Sequence, residues 1–329
     1  MAWPISLIYG SVVRVRNWLY DVHFFNSRSF GTPTLCVGNL SVGGTGKTPM
    51  IEFLISRLQD TKRLAVLSRG YKRKSKGFQM ANADSTVESI GDEPLQIHKK
   101  FPNVTVAVDG NRCNGMASLE KLIKPDLVLL DDAFQHRRVT PTFSILLTTY
   151  ANPIFKDWYL PTGSLRDSKY AAGRAEVIIV TKCPHILDKK EMDWFATRLQ
   201  KRKNQTILFA TLRYDPVLYG KESSIKLSDL KDMEFTLVTG IATPDPLVNH
   251  LKENDLVFEH LEFNDHHSFS SLEIDRLSKK GLIVTTEKDY TRLEGKMENL
   301  YFVRIEHHFL DQGEKRLMQL IDSELTLYR

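Results

Sequence analysis

Gly38-Asn39-Leu40-Ser41-Val42-Gly43-Gly44-Thr45-Gly46-Lys47-Thr48-Pro49 sets a run of small residues, a lysine and a hydroxyl between two apolar segments. Thr34-Leu35-Cys36-Val37 before it reads as a buried strand. After it, Met50, Phe53, Leu54 and Leu58 share one face of a helix. Strand, glycine-rich turn, Gly-Lys-Thr and helix form a phosphate-binding P-loop. Backbone N–H groups of Ser41, Val42, Gly43, Gly44, Thr45 and Gly46 would turn inward around phosphate oxygens, aided by the helix N-terminus. Lys47 would reach the β/γ-phosphates and Thr48 would offer its hydroxyl to Mg²⁺. Pro49 suits the first helical turn, where a missing N–H costs little. One position departs from the usual pattern: its first glycine is Ser41 here, with Gly43 and Gly44 left to keep the loop flexible.

Pro125-Asp126-Leu127-Val128-Leu129-Leu130-Asp131-Asp132 is the second signal. An apolar strand ending in acid, downstream of a P-loop, matches a Walker B strand whose carboxylate helps hold Mg²⁺. Either Asp131 or Asp132 fits. Gln135 and His136 follow at once and put further polar groups near the same point. Asp92, in Gly91-Asp92-Glu93-Pro94, precedes a helix and reads by itself as a cap. The pair His266-His267 reads as surface loop; no third His or Cys stands at zinc spacing.

The elements that must position these groups alternate strand and helix, which implies a parallel, right-handed α/β sheet. The 329 residues allow more than one domain, and 42% hydrophobic with 26% charged residues is ordinary for a globular chain. A net charge of +5 suits an anionic ligand or a membrane surface. Cys36, Cys113 and Cys183 lack metal-ligand spacing and suit a reduced, intracellular protein. The expected layout is an N-terminal amphipathic helix (1–30), a P-loop NTPase-type parallel-sheet domain (31–205), a linker (206–233) and a smaller C-terminal α/β domain (234–329). Strands expected in the last unit are Phe235–Val238, Leu256–Phe258, Leu282–Val284 and Tyr301–Val303.

At the N-terminus, Ile5, Ile8, Val12, Val15, Leu19 and Val22 recur at helical spacing, with Arg14, Arg16 and Asp21 interrupting. That pattern fits a helix lying on a membrane surface, or one packed on its own domain, rather than a spanning segment. No cleavage site for a signal peptide follows.

Together these segments resemble the tetraacyldisaccharide 4′-kinases, the lipid A kinases of Gram-negative bacteria. The resemblance is carried by Gly38-Asn39-Leu40 with Gly43 to Pro49, Ser68-Arg69-Gly70-Tyr71, Gly91-Asp92-Glu93-Pro94, and Asp131-Asp132 through Gln135-His136. It continues in Leu160-Pro161 through Leu165-Arg166, Asp265-His266 and Thr286-Glu287-Lys288-Asp289. The order of the motifs spans nearly the whole chain, and the serine variant of the P-loop looks like the family's own. The resemblance implies ATP- and Mg²⁺-dependent phosphorylation of the 4′-hydroxyl of a tetraacylated glucosamine disaccharide 1-phosphate. It implies work at the cytoplasmic face of the inner membrane, with the first helix in or on it. No nucleic acid and no obligate protein partner are implied. It makes Asp92 and His266 a catalytic pair that assembles when the domains close. Arg69, Arg112 and Arg166 become candidates for the substrate phosphate or transition-state charge, with Gln135 and His136 beside them.

The rival reading is a P-loop NTPase that switches conformation and binds a protein partner. A guanine-reading Asn-Lys-x-Asp is missing: Thr181-Lys182-Cys183-Pro184 has the place but lacks the closing acid. Under either reading Lys47→Ala should nearly abolish turnover of nucleotide while the circular dichroism spectrum stays native; activity within about tenfold of wild type would sink the P-loop assignment.

Overall fold

A computed structural model describes residues 3–200 and 202–328 of the chain; the expected segment ends at 1, 2 and 329 lie outside the described residues. In chain order the elements begin α1 (Trp3–Asp21), β1 (Thr34–Asn39), α2 (Lys47–Leu58), β2 (Leu64–Ser68), β3 (Gln79–Met80) and α3 (Val87–Ile90). Next come α4 (Asp92–Lys100), β4 (Thr105–Val108), α5 (Arg112–Leu122), β5 (Leu127–Asp131), β6 (Phe143–Thr149), β7 (Val177–Thr181) and α6 (Lys189–Leu199). The remainder is β8 (Thr206–Tyr219), β9 (Ser224–Lys226), β10 (Phe235–Thr239), α7 (Asp245–Glu253), β11 (Phe258–Glu262), α8 (Ser271–Ser278), β12 (Leu282–Thr286), α9 (Glu287–Leu293), β13 (Leu300–Phe309) and α10 (Gly313–Leu327).

The strands of the described residues join in one sheet of order β11-β10-β12-β13-β8-β7-β6-β1-β5-β2-β4-β3, with β9 beside β8. From β2 to β8 neighbours run parallel, as they do from β11 to β13. Parallel strands are covered on both faces and so read as continuous apolar runs. β1 illustrates this: Leu35 and Val37 pack with α2 on one face, while Cys36 packs with Met116 and Leu119 of α5 on the other. The expected α/β class with a largely parallel sheet is what the chain adopts.

The segment 206–233 departs from its expected role as a linker. Its first part is β8, 14 residues long. Thr206–Phe209 pairs parallel with β7, and Ala210–Tyr219 pairs antiparallel with β13. One strand therefore serves both halves of the sheet. The expected boundary at 234 is also crossed from the other side. Phe309 of β13 meets Phe53 of α2, and Leu317, Ile321 and Leu325 of α10 complete the α2 face of the core. Within the second half, the strand expected at Leu256–Phe258 is displaced. β11 starts at Phe258; Leu256 is buried under the end of α7 and Val257 is exposed. A lone apolar triplet does not fix register when one of its members anchors the preceding loop.

α1 inverts the usual amphipathic arrangement. Ser6, Gly10, Val13, Asn17 and Tyr20 face the body of the protein. Ser6 meets Thr162 at 2.6 Å and Asn17 donates to Asp167 at 2.7 Å. The ring of Tyr159 lies where a side chain on Gly10 would go. The aliphatic stripe points outward: Ile8 is 67% exposed and Val12 62%. No helix among the described residues is long and apolar enough to cross a membrane.

Candidate functional site

The P-loop runs from the end of β1 to the start of α2. Gly43 and Gly46 take φ of 108° and 87°, the left-handed region that suits residues without Cβ. Ser41 lies outside that region, which is why serine serves where the usual pattern has glycine. Ser41 Oγ donates to Asp157, and Val42 N–H donates to the Ser164 carbonyl at 2.8 Å. Asn39 Nδ2 donates to Thr45 Oγ1, Thr181 Oγ1 donates to the Thr45 carbonyl at 2.8 Å, and His307 Nε2 donates to the Gly46 carbonyl at 2.9 Å. The loop is thus held from β1, β7 and β13 together. His307 is fully enclosed, and its pKa falls to about 4 because burial disfavours the imidazolium.

Lys47 Nζ lies 3.3 Å from Asn39 Oδ1 and 3.9 Å from Asp132. Arg166 donates to Asn39 Oδ1 at 2.5 Å and forms a two-pronged pair with Asp132. Burial would raise the Asp132 pKa, but Lys47 and Arg166 outweigh it and hold the carboxylate below its ordinary range. Asp131, 2% exposed, accepts from Ser68 Oγ at 2.9 Å through one oxygen. Its other oxygen is buried without a partner. Burial first, then the nearby charges of Glu93 and Asp132, push its pKa up to about 7. A desolvated carboxylate with an orphaned oxygen, on the strand that pairs with β1 and near the charge of Lys47, fits Mg²⁺. Among the described residues no cluster of three His, Cys, Asp or Glu is set to cage a metal.

The second focus lies at the N-terminus of α4. Gly91 occupies the cap position with φ of 94°, and the Asp92 side chain makes no cap bond. Instead Asp92 Oδ2 receives His266 Nδ1 at 2.6 Å and Arg292 Nη2. Burial would raise the Asp92 pKa, but hydrogen bonds from His266 and Arg292 overcome it and hold the carboxyl far below the usual carboxylate range. An ionised Asp92 can only accept, so Nδ1 donates to it and Nε2 points away from the carboxylate. Lys288 Nζ sits 3.2 Å from that Nε2, and the Tyr71 ring packs edge-on at 5.7 Å. His266 itself has φ of 63°, a strained setting for a side-chain-bearing residue. Arg292 is braced in turn by Asp289 at 2.8 Å, whose other oxygen accepts the Gly240 N–H at 2.8 Å. The pair expected to form only on domain closure is therefore already in contact.

α4 is clamped from behind. Lys100 at its C-terminal end bonds Glu52 of α2 at 2.7 Å and Glu287 of α9 at 2.9 Å. Gln96 adds a 2.7 Å bond to Glu52. Burial and the charge of Glu287 push the Glu52 pKa up to about 7 against the pull of Lys100.

Of the expected arginines, Arg166 joins the P-loop cluster, and Arg69 lies exposed at the end of β2 without a side-chain partner among the described residues. Arg112 does not fit a substrate contact. It is 1% exposed, and its guanidinium donates to the carbonyls of Asp109 and Asp131, beneath the acid rather than in the cleft. Gln135 donates to the Asn39 carbonyl at 2.5 Å and His136 meets the Gly110 carbonyl at 3.2 Å. Sequence reasoning missed Arg292, Lys288 as a partner of His266, and His307. Lys288 had a signal in the Thr286–Asp289 motif; Arg292 and His307 had none, since only pairing across the sheet brings them to the site.

Asp92 also carries stability, with a defined sign. Its folded pKa is depressed, so its contribution is fully present above the unfolded value near 4 and is lost as pH falls through the folded range. Asp92→Asn, which removes one of the two carboxylates that face Arg292 and leaves Asp289, should therefore cost about 2 kcal/mol at pH 7 and progressively less below about pH 4. Urea melts of both proteins at the two pH values check this; a gap that widens toward acid would contradict the depressed pKa.

The family model described as tetraacyldisaccharide-1-P 4′-kinase matches residues 1–326. The chain is 45% identical over 333 residues to the tetraacyldisaccharide 4′-kinase of Flavobacterium johnsoniae, covering 98% of this chain and 97% of that protein. It is 48% identical over 311 residues to that of Bacteroides thetaiotaomicron, covering 88% and 82%. The crystal structure of LpxK from Aquifex aeolicus in complex with ATP superposes with a TM-score of 0.82 at 28% identity, covering 98% of each chain. Matched almost end to end by the family model and by these relatives, the chain belongs to the tetraacyldisaccharide-1-P 4′-kinase family.

Proposed function

We propose that this kinase transfers the γ-phosphoryl group of ATP to the 4′-hydroxyl of a tetraacylated glucosamine disaccharide 1-phosphate, a step of lipid A biosynthesis, with Asp92 and His266 acting as one base. The observation that carries the catalytic reading is the 2.6 Å contact of His266 Nδ1 with an ionised, Arg292-anchored Asp92. Asp92 binds protons too weakly to take one itself; it orients the ring and stabilises the imidazolium. His266 Nε2 accepts the hydroxyl proton, which requires the sugar to displace Lys288. The alkoxide oxygen then bonds to the γ-phosphorus as its bond to the bridging oxygen breaks and ADP leaves. Lys47 and Arg166 neutralise charge at the transferred group. Thr48 and Asp131 would hold Mg²⁺, which would supply positive charge at the phosphates. A nucleotide switch that acts through a protein partner would have no use for such a base.

Glycolipid recognition is supported by the ground beside α1. A cavity of about 1040 Å³ is lined by Val12, Val15, Leu19 and Phe24, with Arg28 and Arg138 at its polar margin. It is apart from the P-loop, and its mix of apolar wall and cation suits an acylated, phosphorylated ligand. The outward aliphatic stripe of α1 supports contact with the cytoplasmic face of the inner membrane.

Incubation with ATP, Mg²⁺ and the tetraacyl disaccharide 1-phosphate should yield a product heavier by one phosphate in mass spectra, and acceptor-independent ATP hydrolysis alone would reject the assignment. His266→Ala should lower kcat by roughly 10²–10⁴ with little change in ATP affinity. Because the pair acts as a unit, adding Asp92→Ala should cost little more in rate; additive losses would dissolve the pair. In flotation with anionic liposomes the full chain should rise with lipid. Ile8→Ser/Val12→Ser should stay behind, since each buried CH₂ contributes on the order of 0.8 kcal/mol; equal flotation of both would remove the membrane role from this stripe.

A further inference from the structure

Lys182 follows β7 directly, with φ of 55°, in a region that side-chain-bearing residues rarely adopt. The residue before it fixes its place: Thr181 Oγ1 donates to the carbonyls of Thr45 in the P-loop and Thr148 in β6. The turn carries the side chain over the loop, and Lys182 Nζ lies 3.9 Å from where a Cβ on Gly44 would stand. The ammonium is partly desolvated, which lowers its pKa, and no acid counters the effect. Among the described residues it has neither a hydrogen-bond acceptor nor an ion-pair partner. Lys47, by contrast, has Asn39 and Asp132. Its charge reaches the neighbouring His307, whose imidazolium it disfavours. A cation withdrawn from water with no counter-charge is costly unless a ligand supplies the anion.

We propose that Lys182 is a second cationic contact for the phosphate chain of the bound nucleotide, reaching the P-loop at Gly44 from the end of β7. The proposal rests on the kinase reading and extends it to a residue outside the P-loop and the Walker B strand. The lysine stands where a guanine-reading Asn-Lys-x-Asp would place its own, but the closing acid is absent.

The test uses the full chain with Lys182→Met and Lys182→Arg. Equilibrium binding of Mg²⁺-ATP is measured, together with competition by inorganic triphosphate and melting of the ligand-free proteins. Lys182→Met should weaken both ATP and triphosphate by about tenfold or more, with a ligand-free melting temperature equal to or above wild type. Lys182→Arg should keep most of the affinity. Unchanged affinity in Lys182→Met overturns the proposal, as does a loss for ATP without one for triphosphate, which would move the lysine to the base. A lower ligand-free melting temperature also overturns it, because the side chain would then be serving the fold. Wild type that transfers phosphate to the glycolipid beside a Lys182→Met of undiminished affinity sinks this inference alone; wild type that binds no ATP sinks the kinase reading with it.

Discussion

The antiparallel pairing of β8 with β13 is the constraint on which the site depends. The P-loop, Asp131 and Asp92 lie on the β1 side of that seam, and His266, Arg292 and His307 reach back from beyond it. β13 brings His307 under Gly46, and α9, which packs against α4, brings Arg292 to Asp92. A shared strand is stiffer than a linker: backbone hydrogen bonds run along it from Thr206 to Tyr219 on one side or the other. That stiffness holds the two halves in the register that keeps His266 in contact with Asp92. Under the proposed mechanism, Lys288 is what stands between His266 Nε2 and the hydroxyl.

Behind the site, a half-buried lysine between two glutamates ties α2, α4 and α9 together. Such triplets are weak sources of net stability, because desolvation offsets much of the attraction. Their value is geometric. Lys100 can satisfy Glu52 and Glu287 only if the three helices keep their spacing, and α2 and α4 begin at Lys47 and Asp92. The proton affinity of Glu52, raised to about 7, marks the tension in that arrangement.

The site also concentrates groups that the fold leaves uncompensated. Among the described residues Asp131 keeps one oxygen without a partner and Lys182 lacks an anion, and His266 holds a left-handed backbone. A cation and a phosphate chain would complete the first two together. Unfavourable local choices gathered at the C-terminal ends of the strands are the expected signature of a place built to bind.

The P-loop, the acid-ended β5 and the α/β class were legible in the sequence because each rests on local chemistry. Small residues before Gly-Lys-Thr, an apolar run closing on Asp131, and alternating periodicities need no distant partner to be read. The resemblance to lipid A kinases supplied Asp92 and His266, which by themselves read as a cap and a surface loop. Tertiary structure alone decided the rest. It made 206–219 a strand, since an apolar start followed by a polar remainder reads as a boundary until β13 is known to lie alongside. It turned the aliphatic face of α1 outward, since periodicity gives the stripe but not the side the body takes. It separated Asp131, with its orphaned oxygen, from Asp132, already paired to Arg166, and it buried Arg112 beneath them. Residues adjacent or alike in sequence differ here because burial and the charges that face them are set by elements far away along the chain.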